Sequence, residues 1–159
     1  MRADQRRRTG EGGGIRSRLR DFRRLRVHVN HDGVDIVSIA TPPNLHRDEA
    51  VAAARAGKHL MLEKAMGVTL EDIRAIRDAV RDHKVKSVVS FVLRWNPLFE
   101  IIKRQLAAGT IGNVFYGEVD YFHGIGPWYG QYGWNIKKDV GGSSLLSAGC
   151  HALDALRWF

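Results

Sequence analysis

The stretch VDIVSIATPPNLHRDEAVAAARAGKHLMLEK, residues 34–64, reads as a strand, a turn, a helix and a second strand that ends on Glu63 and Lys64. Val34, Ile36, Val37 and Ile39 form a short apolar, β-branched run, the pattern of a parallel strand covered on both faces. Pro42 and Pro43 stop the ladder, because neither carries an amide hydrogen and each fixes its own φ. Asn44 is placed to cap a helix over 45–56. The side chains of Ala50, Val51, Ala53 and Ala54 are small enough for close approach to a sheet, and Gly57 supplies a left-handed stop. His59–Leu62 is the next strand. Joints this short predict a right-handed crossover and two parallel strands whose carboxyl ends lie side by side. Residues 41–44 and the pair Glu63 and Lys64 then share the rim on which open α/β sheets bind ligands.

Downstream, Thr69 and Asp72 have the spacing of a capping box. Leu70, Ile73, Ile76, Ala79 and Val80 recur at helical spacing to about residue 83, so this helix is expected to lie against the sheet. Residues 87–93, SVVSFVL, read as another buried strand. Asn96 caps and Pro97 opens a helix over 98–108, which Gly109 closes. Residues 114–123 alternate imperfectly and are rich in aromatic side chains, as in the first strand of a second sheet. Residues 124–142 are loop-rich, with Trp128, Tyr129, Tyr132 and Trp134 as a pocket wall, and Ser143 or Ser144 caps a final helix through Trp158.

The formal charge of +8 is concentrated at the start of the chain. Residues 1–26 carry ten Arg against three acids, and the remainder is nearly neutral. Such a head could bind polyanions by counterion release, but no aromatic side chains are interleaved in its first twenty residues to stack on bases. Nucleic acid is therefore not expected as a partner. The head lacks apolar periodicity and reads as disordered. Its Gly10, Gly12, Gly13 and Gly14 do not make a phosphate loop, because no apolar strand precedes them and Ile15 stands where a last glycine is needed. Cys150 is the only cysteine, which excludes an internal disulfide and fits a reducing compartment, with the cytoplasm as the default. No run approaches the roughly 20 apolar residues that cross a bilayer, so no membrane is expected. His28 and His31 lack cysteine or carboxylate company, and no metal site is expected.

The phrase VDIVSIATPPNLH, followed by GKHLMLEK and then by GGSSLLSAGCHALDALRWF, resembles the Gfo/Idh/MocA family of nicotinamide-dependent oxidoreductases over residues 32–159. Three separated motifs in the right order carry that resemblance. It implies an α/β chain: an incomplete Rossmann-like parallel sheet over 27–110, followed by the start of an α+β substrate and oligomerisation domain over 111–159. On this reading the chain is truncated at both ends. NAD or NADP would be the cofactor, and a sugar, inositol or related polyol the substrate. The full-length family would be homo-oligomeric.

The resemblance also implies roles for particular residues. Lys64 matches the lysine of an E-K-P motif and would be acid/base or substrate binder. A lysine at a strand end, partly withdrawn from water, can exchange a proton with a hydroxyl while hydride leaves the same carbon. Ala65 replaces the motif's proline, the residue before which a cis peptide is least costly. Gly149, His151 and Asp154 match a G-x-H-x-x-D pattern, with His151 as proton relay and Asp154 as its orienter or a substrate neighbour. Sequence spacing alone favours a histidine hydrogen-bonded to its own aspartate. Ser147 stands where many members have an aspartate, and a serine cannot hold an imidazolium by charge. Thr41, Pro42, Asn44, His46, Glu63, Arg94 and Trp95 match positions around the nicotinamide and its ribose. His46, in a first helical turn, would by itself pass for an exposed residue. Trp128 and His123 could face a sugar ring. Two other readings stand beside the dehydrogenase: an NAD-dependent glycosidase of the same fold, and an inactive fragment in which the missing glycine turn leaves NAD affinity weak.

Overall fold

A computed structural model describes residues 29–124, 126–127 and 133–159. Residues 1–26, His28, Trp128, Tyr129 and Tyr132, on which several expectations rest, lie outside the described residues. Three strands, β1 (Ile36–Ile39), β2 (His59–Leu62) and β3 (Ser87–Val89), form a parallel sheet in the order β1-β2-β3. Ile39 pairs with Leu62, and Leu62 with Val89. The ladder runs one bond past the strand ends, through Glu63 N–H to the Ile39 carbonyl and Ser90 N–H to the Leu62 carbonyl, each at 2.8 Å. The carboxyl ends of β1 and β2 are therefore level, as the short joints predict.

Helix α1 (Pro43–Arg55) joins β1 to β2, and α2 (Leu70–Asp82) joins β2 to β3. Ala50, Ala53 and Ala54 are fully buried, and with Val37, Ile39, Leu60, Leu62 and Ile76 they make the core between the helices and the sheet. Gly57 takes φ 74° after α1, where an L side chain would be strained. Thr69 forms the expected capping box: its hydroxyl accepts from Asp72 N–H, and its own N–H donates to the Asp72 carboxylate, both at 3.1 Å.

Among the described residues the sheet is covered on one face, where both faces were expected to be covered. Both helices lie on the side of Val37 and Ile39, while Ile36, Met61 and Val88 on the other side are 61%, 47% and 48% exposed. An apolar run without polar alternation signals a strand, but the covering of its second face depends on elements elsewhere in a chain. Two boundaries also move, and one expected strand is absent among the described residues. Helix α1 begins at Pro43 with Pro42 at the cap position, so Asn44 is in the first turn and is not the cap. Strand β3 ends at Val89, and the rest of the 87–93 run turns into a 3₁₀ helix, Val92–Trp95. Residues 114–123 belong to no strand or helix and pair with no strand among the described residues, with Phe115 and Phe122 almost wholly exposed. Alternation codes for extended backbone, and a strand additionally needs a neighbour to take its N–H and C=O groups.

Asn96 accepts from Leu98 N–H at 2.9 Å and starts α3 (Pro97–Ala107), one residue from the expected helix. A single turn, α4 (Lys138–Gly141), interrupts the loop-rich stretch. Ser143 then receives Leu146 N–H at 3.3 Å, a π-helical turn covers Leu145–Gly149, and α5 (Cys150–Trp158) completes the expected final helix.

Candidate functional site

The rim formed by the ends of β1 and β2 is held together by a buried polar group. Both ring nitrogens of His46, one turn into α1, face backbone carbonyls: Nε2 is 2.8 Å from the Thr41 oxygen and Nδ1 is 2.9 Å from the Ala65 oxygen. His46 is 0% exposed, which corrects the expectation of an exposed first-turn residue. The Thr41 hydroxyl donates to the carboxylate of Glu49, a buried residue on the same face of α1, at 2.5 Å. Pro42 and Pro43 thus sit in a turn fixed from below. Asn44 Oδ1 is buried and finds no hydrogen-bond partner among the described residues.

Glu63 and Lys64 leave β2 on the same rim. The Lys64 N–H donates to the Glu63 carboxylate at 3.0 Å, and the Lys64–Ala65 peptide is cis although proline is absent. The Lys64 ammonium donates to the Ser147 carbonyl at 2.5 Å. This bond ties the sheet edge to the π-helical turn that leads into α5, and it uses the backbone of the position where an aspartate was missed. His151, two residues into α5, is buried, and its Nδ1 has no partner among the described residues. Its ring lies against Tyr121, with centroids 5.1 Å apart, and meets Phe91 edge-on at 6.2 Å. A cleft of about 360 Å³ opens beside its Tyr121 neighbour, lined by Tyr121, His123 and residues 144, 145 and 147–149. A larger groove of about 570 Å³, between α1 and α2, is lined by none of these side chains.

Asp154 does not bond to His151. Arg94 takes both of its oxygens, with Nε 2.7 Å from Oδ2 and a second, shorter bond from the terminal nitrogen to Oδ1. The same guanidinium covers the Trp158 ring at 4.9 Å, and Lys103 Nζ lies over that ring at 3.3 Å while donating to the Trp158 carbonyl at 2.7 Å. Bidentate pairing outcompetes an imidazole for the carboxylate, since it makes two charge-assisted bonds in one plane. Arg94 therefore clamps α5 to the segment after β3, while neighbouring Trp95 is 70% exposed on the same 3₁₀ turn. The structure brings Thr41, Pro42, Asn44, Glu63 and Lys64 to one rim, ties Lys64 to the turn that leads into the helix of His151, and places His46, Arg94 and Asp154 in the supports behind it. Sequence reasoning missed Tyr121, Phe91 and the Ser147 carbonyl. The aromatic character of 114–123 was the available signal for Tyr121; a backbone oxygen leaves none.

Burial, and next the positive charge of Lys64, hold the His151 imidazole below its ordinary 6.5, against the pull of Glu63 and Asp154. In the unfolded chain the same ring titrates at its ordinary value, so below 6.5 the unfolded state binds a proton that the folded state resists. The stability contributed by neutral His151 is complete above that value and is lost as pH falls through the lower, folded one. Melting temperatures taken from about pH 8 to about pH 5 are expected to fall less steeply for His151→Asn than for the parent chain. Identical slopes would show that the ring titrates normally.

A family model described as "Oxidoreductase family, NAD-binding Rossmann fold" matches residues 11–91, and one described as "GFO/IDH/MocA C-terminal domain" matches residues 99–159. Levoglucosan dehydrogenase of Pseudarthrobacter phenanthrenivorans is 30% identical over 150 residues, which are 91% of this chain and 37% of that protein. The NAD(+)-dependent scyllo-inositol 2-dehydrogenase of Bacillus subtilis is 36% identical over 84 residues, 53% of this chain and 25% of that one. A solved structure of levoglucosan dehydrogenase in complex with NADH and levoglucosan superposes with a TM-score of 0.70 at 30% identity, covering 84% of this chain and 36% of the other. The chain thus spans little more than a third of the length of the first of these relatives. With both halves matched and a parallel sheet of the right order, the chain belongs to the Gfo/Idh/MocA family of oxidoreductases, whose N-terminal domain is an NAD-binding Rossmann fold.

Proposed function

We propose that this chain carries the acid/base rim of an NAD(P)-dependent oxidoreductase that acts on a hydroxyl or carbonyl carbon of a sugar, inositol or related polyol. The observation that supports it most directly is the Lys64–Ser147 bond, which sets a proton-bearing amine beside the helix that carries His151. Two buried polar atoms near this rim, Asn44 Oδ1 and His151 Nδ1, lack partners among the described residues, so the donor and acceptor set fits a polar ligand laid across it. Thr41, Pro42, Asn44, Glu63 and Trp95 would hold NAD or NADP, with Lys64 at the junction to the substrate. The bound nicotinamide supplies the hydride acceptor or donor. Lys64, once it has given its own proton to His151, takes the substrate hydroxyl proton as a neutral amine, and the reverse direction runs the same transfers backward. Arg94 and Asp154 keep α5 in register so that His151 stays at the cleft, and Tyr121 forms a wall for the sugar ring. Trp128, outside the described residues, is assigned to the sugar on sequence grounds alone.

The division at residue 110 separates a nucleotide-binding part, 27–110, from the start of a substrate and oligomerisation part, 111–159, with 1–26 as a basic head. The near-complete exposure of Phe115 and Phe122 supports the homo-oligomer proposed for the full-length family. Single-cysteine usage supports the cytoplasm. Helix α1 offers little to a pyrophosphate, because Pro42 and Pro43 remove two of the N–H groups that a helix start would aim at it. NADH fluorescence titration of this chain is accordingly expected to give a dissociation constant weaker than micromolar. Absorbance of NAD(P)H, followed at millimolar cofactor with a panel of polyols, tests the reaction itself. Polyol-dependent reduction supports the reading, and sugar release from glycosides without NADH accumulation would replace it with the glycosidase.

A further inference from the structure

Two anchors fix the backbone on either side of Lys64. On its N-terminal side, Glu63 N–H donates to the Ile39 carbonyl at 2.8 Å and continues the sheet ladder. On its C-terminal side, the Ala65 carbonyl is 2.9 Å from His46 Nδ1, and the opposite nitrogen of that ring is 2.8 Å from the Thr41 carbonyl. The ring therefore spans the two turns that leave β1 and β2; in its neutral form it donates its one N–H to one carbonyl, chosen by the tautomer, and sets its other nitrogen against the second. It is the only side chain the described hydrogen bonds place between them, and it is fully buried, so water cannot replace either contact at low cost. Thr41 is held a second time, through its hydroxyl, by Glu49 one turn further along α1. Helix α1 thus reads the position of β1 through Thr41 and transmits it, through one imidazole, to the residue after Lys64. From that fixed stem the Lys64 ammonium reaches the Ser147 carbonyl, 83 residues away in sequence.

We propose that His46 is a positioning residue for Lys64, a strut between the proline turn and the lysine turn that directs the ammonium to the Ser147 carbonyl. The proposal rests on the reading of Lys64 as the acid/base group for its importance. Its test reads the position of the amine and not turnover, so failure of either is distinguishable from failure of the other.

The experiment is competitive acetylation of the full chain, with the rate at each lysine followed by peptide mass spectrometry. In the parent chain Lys64 is expected to react at least about tenfold more slowly than the exposed Lys84 and Lys86, because its amine is engaged and half-buried. Lys103, bonded to the Trp158 carbonyl, is the internal reference for a protected amine elsewhere in the fold. His46→Phe keeps an aromatic ring in the site but offers no nitrogen to either carbonyl. It is expected to bring Lys64 to the rate of Lys84 while Lys103 stays protected. His46→Gln, whose amide can serve one carbonyl, is expected to lie between parent and His46→Phe. Unchanged protection of Lys64 in a folded His46→Phe overturns the proposal. So does deprotection of Lys64 and Lys103 together, which would mark general loosening. If His46→Phe does not fold, His46→Gln decides on the same criteria, and failure of both to fold makes His46 a residue of the fold alone.

Discussion

Replacement of Lys64 by methionine is expected to lower kcat for polyol-dependent NAD(P) reduction by about 10²–10⁴, the usual worth of a positioned general acid or base. Methionine keeps the unbranched length and fills the same space without an amine. The ladder bond from Glu63 to Ile39 and the strut from His46 to Ala65 involve neighbours of Lys64 and survive the change. Stability is therefore expected to fall by only about 1 kcal/mol, the loss of the bond to Ser147. Lys64→Arg separates charge from proton transfer: the guanidinium keeps the positive charge but does not give up a proton at working pH. If charge alone is needed, Lys64→Arg retains activity that Lys64→Met loses. If a proton must move, both are comparably impaired. Retention of more than about a tenth of kcat by Lys64→Met would remove the lysine from the chemistry.

The second large effect falls on the fold. Leu62→Ala is expected to destabilise the chain by about 2–5 kcal/mol, read as a lowered denaturation midpoint at unchanged slope. Leu62 is 0% exposed and lies on the central strand, paired with Ile39 on one side and Val89 on the other. Its side chain is in the core with Ala50, Ala53, Ala54 and Ile76, whose short or branched side chains leave the space only partly filled. Because Glu63 and Lys64 follow directly, collapse at Leu62 would also disturb the rim. Met61→Ala, one residue away on the uncovered side, is expected to cost far less, since Met61 is 47% exposed. Comparable losses at the two positions would show that the second face is covered in solution.

Residues 34–64 were legible because their signals are local. A β-branched run, two prolines, a small-residue helix and a glycine each act on their own backbone, and they agree with one another. The same holds for Thr69 with Asp72 and for Asn96 with Pro97. What was not legible is contact between distant segments. His46 stands in the polar phrase N-L-H-R-D, and only the arrival of the Ala65 carbonyl from β2 makes it a core residue. Asp154 was as well placed for His151 as for any partner, and Arg94, 60 residues earlier, decides the matter. Ser147 was legible as a departure from a family pattern, but its carbonyl, which answers Lys64, belongs to the backbone and has no letter of its own. Residues 114–123 had the period of a strand, and a period says nothing about a neighbour. Lys64 and His151, separated by most of the chain, were brought to one rim by motif order; the geometry behind that order is the clamp from Arg94 and the bond to Ser147.

The sheet, covered on one face among the described residues, has a calorimetric consequence. Ile36, Met61 and Val88 are already wetted in the folded state, and so are Phe115 and Phe122. Melting exposes that area to no additional water, and it adds nothing to the increment of heat capacity, which for a fully clothed domain is about 12–15 cal/mol/K per residue. The curve of unfolding free energy against temperature is correspondingly shallow, with a broad summit and weak cold lability.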